Sequence, residues 1–167
     1  DNRNIFEKFY MLGENNKIKI IFKKTSKKYS KVLKSYKTLK NLKFIEFPKF
    51  GFDELKKITR KIKKLGGCLL IIDYGYINSS GRDTIQSVMR HKKNYPLKNL
   101  GKADITSHVN FSLLKEFFLK NNLKVKNTIT QKDFLTNMGI LQRAEILTKK
   151  MNFRDQSNLY LRLKRLL

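Results

Sequence analysis

One stretch, Gly66-Gly67-Cys68-Leu69-Leu70-Ile71-Ile72-Asp73-Tyr74-Gly75-Tyr76, constrains the fold of this chain more than any other. A continuous apolar run with no polar alternation is covered on both faces, the situation of a strand inside a parallel sheet. A helix is expected before it: Leu55, Ile58, Ile62 and Leu65 recur at helical spacing, Asp53 suits the N-cap and the double glycine suits the C-cap. Helix, double glycine, buried strand and an acidic, tyrosine-rich end together make an α/β layer unit over 53–76. In that setting Cys68 is a core thiol.

The flanking segments read less sharply. Residues 5–12 and 17–23 bracket Gly13-Glu14-Asn15-Asn16, and Ile18, Ile20 and Phe22 lie two apart, so a β-hairpin is predicted over 5–23. Residues 24–43 are rich in Lys, Ser and Tyr and show no assignable pattern. Phe44–Phe47 reads as a short strand stopped by Pro48. Residues 77–110 lack a strong period and hold Ser79, Ser80, Gly81, Pro96 and Gly101, which predicts a long ordered loop region of the kind that is usually functional. The remainder, 111–167, reads as mostly helical. Asn110 or Ser112 can cap a helix with Leu113, Leu114, Phe117 and Phe118 on one face, and a short strand is expected at about 123–129. Thr130-Gln131-Lys132-Asp133 opens another helix in the manner of a capping box, and two more helices are expected over 141–151 and 157–167. With no repeats and no linker, the chain reads as one domain or part of one.

Charge narrows the function classes less than its size suggests. The chain has 167 residues, with 38 Lys and Arg against 13 Asp and Glu, a formal net charge of +25. Such an excess invites a nucleic-acid reading. However, 30 of the cations are Lys and only 8 are Arg, whereas dedicated phosphate and base readers lean on the bidentate Arg fork. The segment 68–110, which holds the most unusual residues, is also the least basic, with six basic and three acidic residues. A solvated Lys-rich surface is therefore favoured over a nucleic-acid patch. No apolar run approaches the roughly 20 residues of a bilayer span. One cysteine excludes an internal disulfide and a Cys-based zinc site. No signal peptide opens the chain, and a first residue of Asp rather than Met suits a processed or truncated piece.

In an open α/β sheet, ligands bind beyond the carboxyl ends of the strands. Asp73-Tyr74-Gly75-Tyr76 occupies such an end, where a carboxylate can orient a cation or accept a proton and two tyrosines can line a pocket. A purely structural role, with Asp73 capping the strand end and the tyrosines packing under the next loop, is about equally compatible. His91 and His108 lie in or beside the loop region with Asp104 four residues before His108, but their spacing matches no compact metal motif, so no metal is expected. Dinucleotide, P-loop, nucleophile-elbow and zinc-protease signatures are absent.

Four ordered blocks carry a resemblance: GGCLLIIDYGY (66–76), GRDTIQSVMRHK (81–92) with Pro96-Leu97, GKADITSHVNF (101–111) and TQKDFLTNMGILQRA (130–144). Together they resemble the carboxyl-terminal half of the MidA family of S-adenosylmethionine-dependent methyltransferases, whose mitochondrial members are protein arginine methyltransferases needed for assembly of respiratory complex I. The resemblance implies part of a class I, Rossmann-like methyltransferase fold, with an N-terminal hairpin and a helical C-terminal part. It implies S-adenosylmethionine as cofactor, gripped by a glycine-rich loop that the family places ahead of the hairpin. It also implies a protein substrate, a complex I subunit among the candidates, and a bacterial cytoplasmic or mitochondrial matrix location.

Position by position, Asp73, Tyr74, Gly75 and Tyr76 match the family's post-strand motif. Asp83, Thr84, Gln86 and His91 match the next block; Asp104, Thr106 and His108 match the third; Thr130, Gln131, Phe134, Gly139 and Arg143 match the fourth. Met89-Arg90 replaces an Arg-Gly-like pair, and Asn110 stands where Asp is usual. The expected catalytic residues are Asp73, Tyr74 and Tyr76, with Gly75, His91, Asp104 and His108 shaping the substrate site. Without the cofactor loop, this piece alone is expected to be inactive. The competing readings are a basic nucleic-acid-binding module and a non-catalytic scaffold or assembly factor.

Overall fold

The computed structural model describes residues 4–14, 17–78 and 81–167; Asn15 and Asn16 of the predicted turn, and Ser79 and Ser80 of the predicted loop region, lie outside the described residues. The chain is a mixed α/β protein. It divides into two units, Asp1–Val125 and Lys126–Leu167.

The first unit opens with the expected hairpin: β1 (Phe6–Leu12) pairs antiparallel with β2 (Ile18–Lys24), Phe6 opposite Lys24 and Leu12 opposite Ile18. The stretch without a legible pattern forms α1 (Lys27–Lys34), where Ser26 Oγ accepts from Tyr29 N, followed by a 3-10 turn (Lys37–Leu39). Its logic is Tyr29, Leu33 and Tyr36 at i, i+4 and i+7, a stripe diluted by the lysines between them. Next, α2 (Lys49–Leu65) starts ahead of the expected Asp53, with Pro48 at the N-cap and Phe52 N donating to Pro48 O at 2.8 Å. Asp53 is therefore inside the helix, and Phe52 gains a buried, core-facing position.

The core of this unit is aromatic. Leu33, Tyr36, Leu39, Phe52, Leu113, Phe117 and Phe118 are buried together, with Ile45, Phe47, Leu55 and Ile71 packed against them. Phe52 stacks on Phe117 at 4.2 Å, and Phe47 meets Phe52 edge-on at 5.2 Å. Here α3 (Phe111–Lys120) supplies Leu113, Phe117 and Phe118, and Asn110, not Ser112, is its cap, its side chain accepting from Leu113 N.

Five expectations are corrected. Phe44–Phe47 is an irregular segment with no strand pairing: Ile45 and Phe47 reach the core, Phe47 O accepts Lys49 N at 2.9 Å, and the Glu46 side chain accepts from Thr84. The apolar run 68–72 is not a buried strand, and Cys68 is exposed, not a core thiol. Leu70 and Ile72 are 64% and 65% exposed, because among the described residues no strand pairs with 68–72 and only Ile71 packs on the core. Among the described residues, 77–110 are not loop throughout. They contain β4 (Gln86–Met89), β5 (Lys92–Asn94) and β6 (Asp104–Thr106), an antiparallel sheet in the order β5-β4-β6. Strands of three or four residues are too short to print a period on the sequence. No strand forms at 123–129, where Leu123 and Val125 instead pack against the core as irregular chain.

In the second unit, α4 (Gln131–Asn137) is capped by Thr130, whose Oγ1 accepts from Asp133 N. Gly139, at φ 82°, turns the chain into α5 (Ile140–Thr148). Then α6 (Phe153–Leu166) begins earlier than expected because Asn152 caps it. Gln131 Nε2 donates to Leu166 O at 2.9 Å, a structural role for that residue. Among the described residues, no helix is long and apolar enough to cross a membrane.

Candidate active site at the β3 strand end

The apolar run ends in β3 (Gly75–Tyr76), which pairs in parallel with β7 (Val109–Asn110), Gly75 opposite Val109 and Tyr76 opposite Asn110. Val109 N donates to Tyr74 O at 3.1 Å, extending the pairing by one residue. The approach of the two backbones requires glycine: a Cβ at Gly75 would collide with the Val109 carbonyl oxygen and lie 2.8 Å from Val109 C and N. Gly75 thus has a structural explanation that the sequence reading lacked. Ser112 Oγ donates to Ile77 O, joining the first turn of α3 to the chain just beyond β3.

This pairing brings Tyr74 and His108 together. Their rings meet edge-on, with centroids 5.1 Å apart and planes at 79°, and both residues are exposed. Asp73 adjoins them, its Oδ1 accepting from Tyr74 N at 2.8 Å. An exposed carboxylate, phenol and imidazole therefore share one strand end, and Tyr76, half-buried, follows in β3.

Behind His108 lies a hydrogen-bonded support. His108 N donates to Thr84 Oγ1 at 3.0 Å. Thr84 in turn gives its Oγ1 hydrogen to Glu46 Oε2 at 2.7 Å and its N–H to Glu46 Oε1 at 2.9 Å. The neighbouring Asp83 pairs with Lys8 at 3.1 Å and accepts from Ile85 N through its other oxygen. The Lys8 ammonium is held above its ordinary range, first by its hydrogen bond with Tyr10 and then by Asp83.

The other expected residues have different settings. His91 and Arg90 form the two-residue turn between β4 and β5, at φ 60° and 49°, with Met89 opposite Lys92. Positive φ at both central residues is the requirement of a type I′ hairpin turn, and His tolerates that region better than most residues. Asp104 is exposed in β6 opposite Val88, and Thr106 lies opposite Gln86. Among the described residues, no three His, Cys, Asp or Glu side chains gather as a metal site.

Residues 1–129 match the family described as "putative S-adenosyl-L-methionine-dependent methyltransferase". The chain belongs to that methyltransferase family. The match takes in the hairpin, α2, the β3 strand end and α3. Among curated relatives, this methyltransferase-family chain is 33% identical over 96 residues to protein arginine methyltransferase NDUFAF7, mitochondrial, of Xenopus tropicalis, covering 58% of this chain and 22% of that protein. It is 34% identical over 93 residues to the Danio rerio protein of the same name (56% and 22%) and 33% identical over 98 residues to that of Homo sapiens (59% and 22%). The matched stretch spans about a fifth of the length of these relatives.

In this methyltransferase-family chain, sequence reasoning missed Glu46. The pattern of FIEF predicts a strand, and nothing in it signals that a carboxylate 38 residues before Thr84 closes on that residue. Thr84 was visible only as part of a family block, without a role.

Proposed function

We propose that this chain forms the substrate-facing edge of an S-adenosylmethionine-dependent protein arginine N-methyltransferase with a class I, Rossmann-like fold. One observation carries the reading: Asp73, Tyr74 and His108 gather at one strand end, exposed, in a chain of a methyltransferase family. The names of the relatives support a protein arginine as acceptor and, in a eukaryote, a mitochondrial location. The resemblance to the MidA family supports a complex I subunit as the substrate, the matrix as the eukaryotic compartment and the cytoplasm as the bacterial one.

S-adenosylmethionine, when bound, supplies a methyl group on a sulfonium. The donor set at 73–76 fits the guanidinium side of such a reaction: a carboxylate and two phenols suit a planar cation. No glycine-rich phosphate or dinucleotide loop occurs in the sequence, so none of these residues is assigned to grip the cofactor. In our reading Asp73 holds the positive guanidinium and takes the proton that its nitrogen loses on methylation. The Tyr74 ring offers a face for the cation, and its hydroxyl and the His108 imidazole orient the acceptor nitrogen. Such alignment supplies much of the rate of a direct displacement.

The test uses the full-length protein, methyl-labelled S-adenosylmethionine and purified complex I subunits, with arginine methylation read by mass spectrometry. Asp73→Asn should lower kcat by about 100-fold or more, the scale of a lost general base. A wild-type protein that methylates no arginine, or an Asp73→Asn enzyme as fast as wild type, removes the proposal.

A further inference from the structure

The Tyr74–His108 pair is supported from a segment that belongs neither to β3 nor to β7. Glu46 lies in the irregular 44–47 segment and spends both carboxylate oxygens on one residue: Oε1 accepts Thr84 N at 2.9 Å and Oε2 accepts the Thr84 hydroxyl at 2.7 Å. This has a directional consequence. A hydroxyl has one hydrogen; once that hydrogen is committed to a carboxylate, the oxygen presents only lone pairs elsewhere. Thr84 Oγ1 is thereby set to accept, and it accepts His108 N at 3.0 Å. The next amide, Val109 N, donates to Tyr74 O at 3.1 Å. Consecutive N–H groups are thus tied to two different partners, Thr84 on one side and Tyr74 on the other. The backbone that carries the imidazole cannot turn without breaking one of them, and the imidazole sits 5.1 Å from the Tyr74 ring.

We propose that Glu46 is a positioning residue for this site: through Thr84 it holds His108 in its edge-on arrangement with Tyr74. It acts through Thr84 and makes no contact with substrate in this account. The proposal rests on the strand-end reading of the active site given above. A carboxylate at position 46 can accept from both Thr84 donors at once. A Gln there keeps one acceptor oxygen but turns an NH2 group toward one of the two Thr84 donors. Where that NH2 faces the Thr84 hydroxyl, the hydroxyl hydrogen loses its fixed acceptor, and Thr84 Oγ1 is no longer held in one orientation as the acceptor for His108 N.

The experiment uses the full-length protein and the variants Glu46→Gln, Glu46→Asp and Thr84→Val. The first readout is the ring-current shift between Tyr74 and His108 in carbon-13 histidine-labelled protein. The His108 resonance is assigned by its loss in His108→Asn, and the shift without a Tyr74 ring is set by Tyr74→Leu. Glu46→Gln and Thr84→Val should both move the His108 ring resonances most of the way to the Tyr74→Leu position. Glu46→Asp should stay nearer to wild type, because a carboxylate is retained. The second readout is arginine methylation: kcat should fall about 10–100-fold, up to the cost of misplacing a reacting group by about 1 Å. Affinity for S-adenosylmethionine itself should stay within about twofold, because Glu46 and Thr84 are assigned no cofactor role in this reading.

Unchanged His108 shifts in either Glu46→Gln or Thr84→Val overturn the proposal, since Glu46 is argued to act only through Thr84. So does a variant that is less heat-stable yet has wild-type shifts and kcat, because Glu46 is then only a structural anchor. Should Glu46→Gln fail to fold, Glu46→Ala takes its place and is judged beside Thr84→Val by the same criteria. If the wild-type protein methylates no arginine, the functional reading fails by itself, while the ring shifts still decide whether Glu46 orients His108.

Discussion

Glu116 in the middle of α3 ties the chain after α1 to that helix, and its replacement has a cost that can be worked from its bonds. Glu116 Oε1 accepts Lys37 N at 2.7 Å, and Oε2 accepts both Thr38 N at 2.9 Å and Thr38 Oγ1 at 2.6 Å. Lys37 and Thr38 open the 3-10 turn, and Tyr36 provides no side-chain cap, so a carboxylate 78 residues away does the capping. Hydrogen bonds to a charged group contribute about 1.5–3 kcal/mol each. Partial exposure and two bonds sharing one oxygen argue for less than a full sum, so Glu116→Ala should cost about 2–4 kcal/mol and Glu116→Gln somewhat less.

The same group makes the cost depend on pH. Burial pushes the Glu116 carboxyl upward, but hydrogen bonds from the Thr38 side chain, Thr38 N and Lys37 N, together with the Lys120 charge, outweigh it and leave the pKa below its ordinary 4.5. A lowered folded pKa means that the stabilisation is complete above the unfolded value and fades as pH falls through the folded one. The chain has no Trp, so urea unfolding is best followed by far-UV circular dichroism. Wild type should have the higher midpoint at pH 7, and the gap to Glu116→Gln should close as the pH falls well below 4.5. Equal midpoints at pH 7, or a gap that persists unchanged in acid, would refute the reasoning.

Three further outcomes are expected. Gly75→Ala drives a methyl group into the Val109 carbonyl, so it should destabilise by about 1–3 kcal/mol or more and speed hydrogen exchange at Val109 N, which protected β3–β7 pairing would not allow. Phe52→Ala removes a ring that is 6% exposed and stacked 4.2 Å from Phe117, and calorimetry should register a loss of about 3–5 kcal/mol. Asn110→Ala deletes the acceptor for Leu113 N and should cost about 0.5–2 kcal/mol in thermal unfolding, whereas Asn110→Asp should keep nearly all of the stability.

Local signals in the sequence determined the parts whose physics is local. The hairpin follows from alternation across a polar turn, and the caps at Asn110 and Thr130 follow from short polar side chains placed ahead of apolar helical faces. The family could be read from ordered blocks, and Asp73-Tyr74-Gly75-Tyr76 marked a strand end because an acidic, aromatic cluster follows an apolar run. Tertiary structure decided the rest. The run 68–72 is apolar on both faces, but burial depends on what lies against it, and among the described residues only Ile71 finds the core. Strands β4, β5 and β6 are defined by pairing between short segments, which leaves no period to read. That Gly75 must be glycine follows only from the nearness of Val109, 34 residues on by the numbering. The contacts that hold the site, Glu46 to Thr84 and Thr84 to His108, join residues 38 and 24 positions apart. Hydrogen bonds over such separations depend on the path of the chain between their ends, and no local pattern of residue types encodes that path.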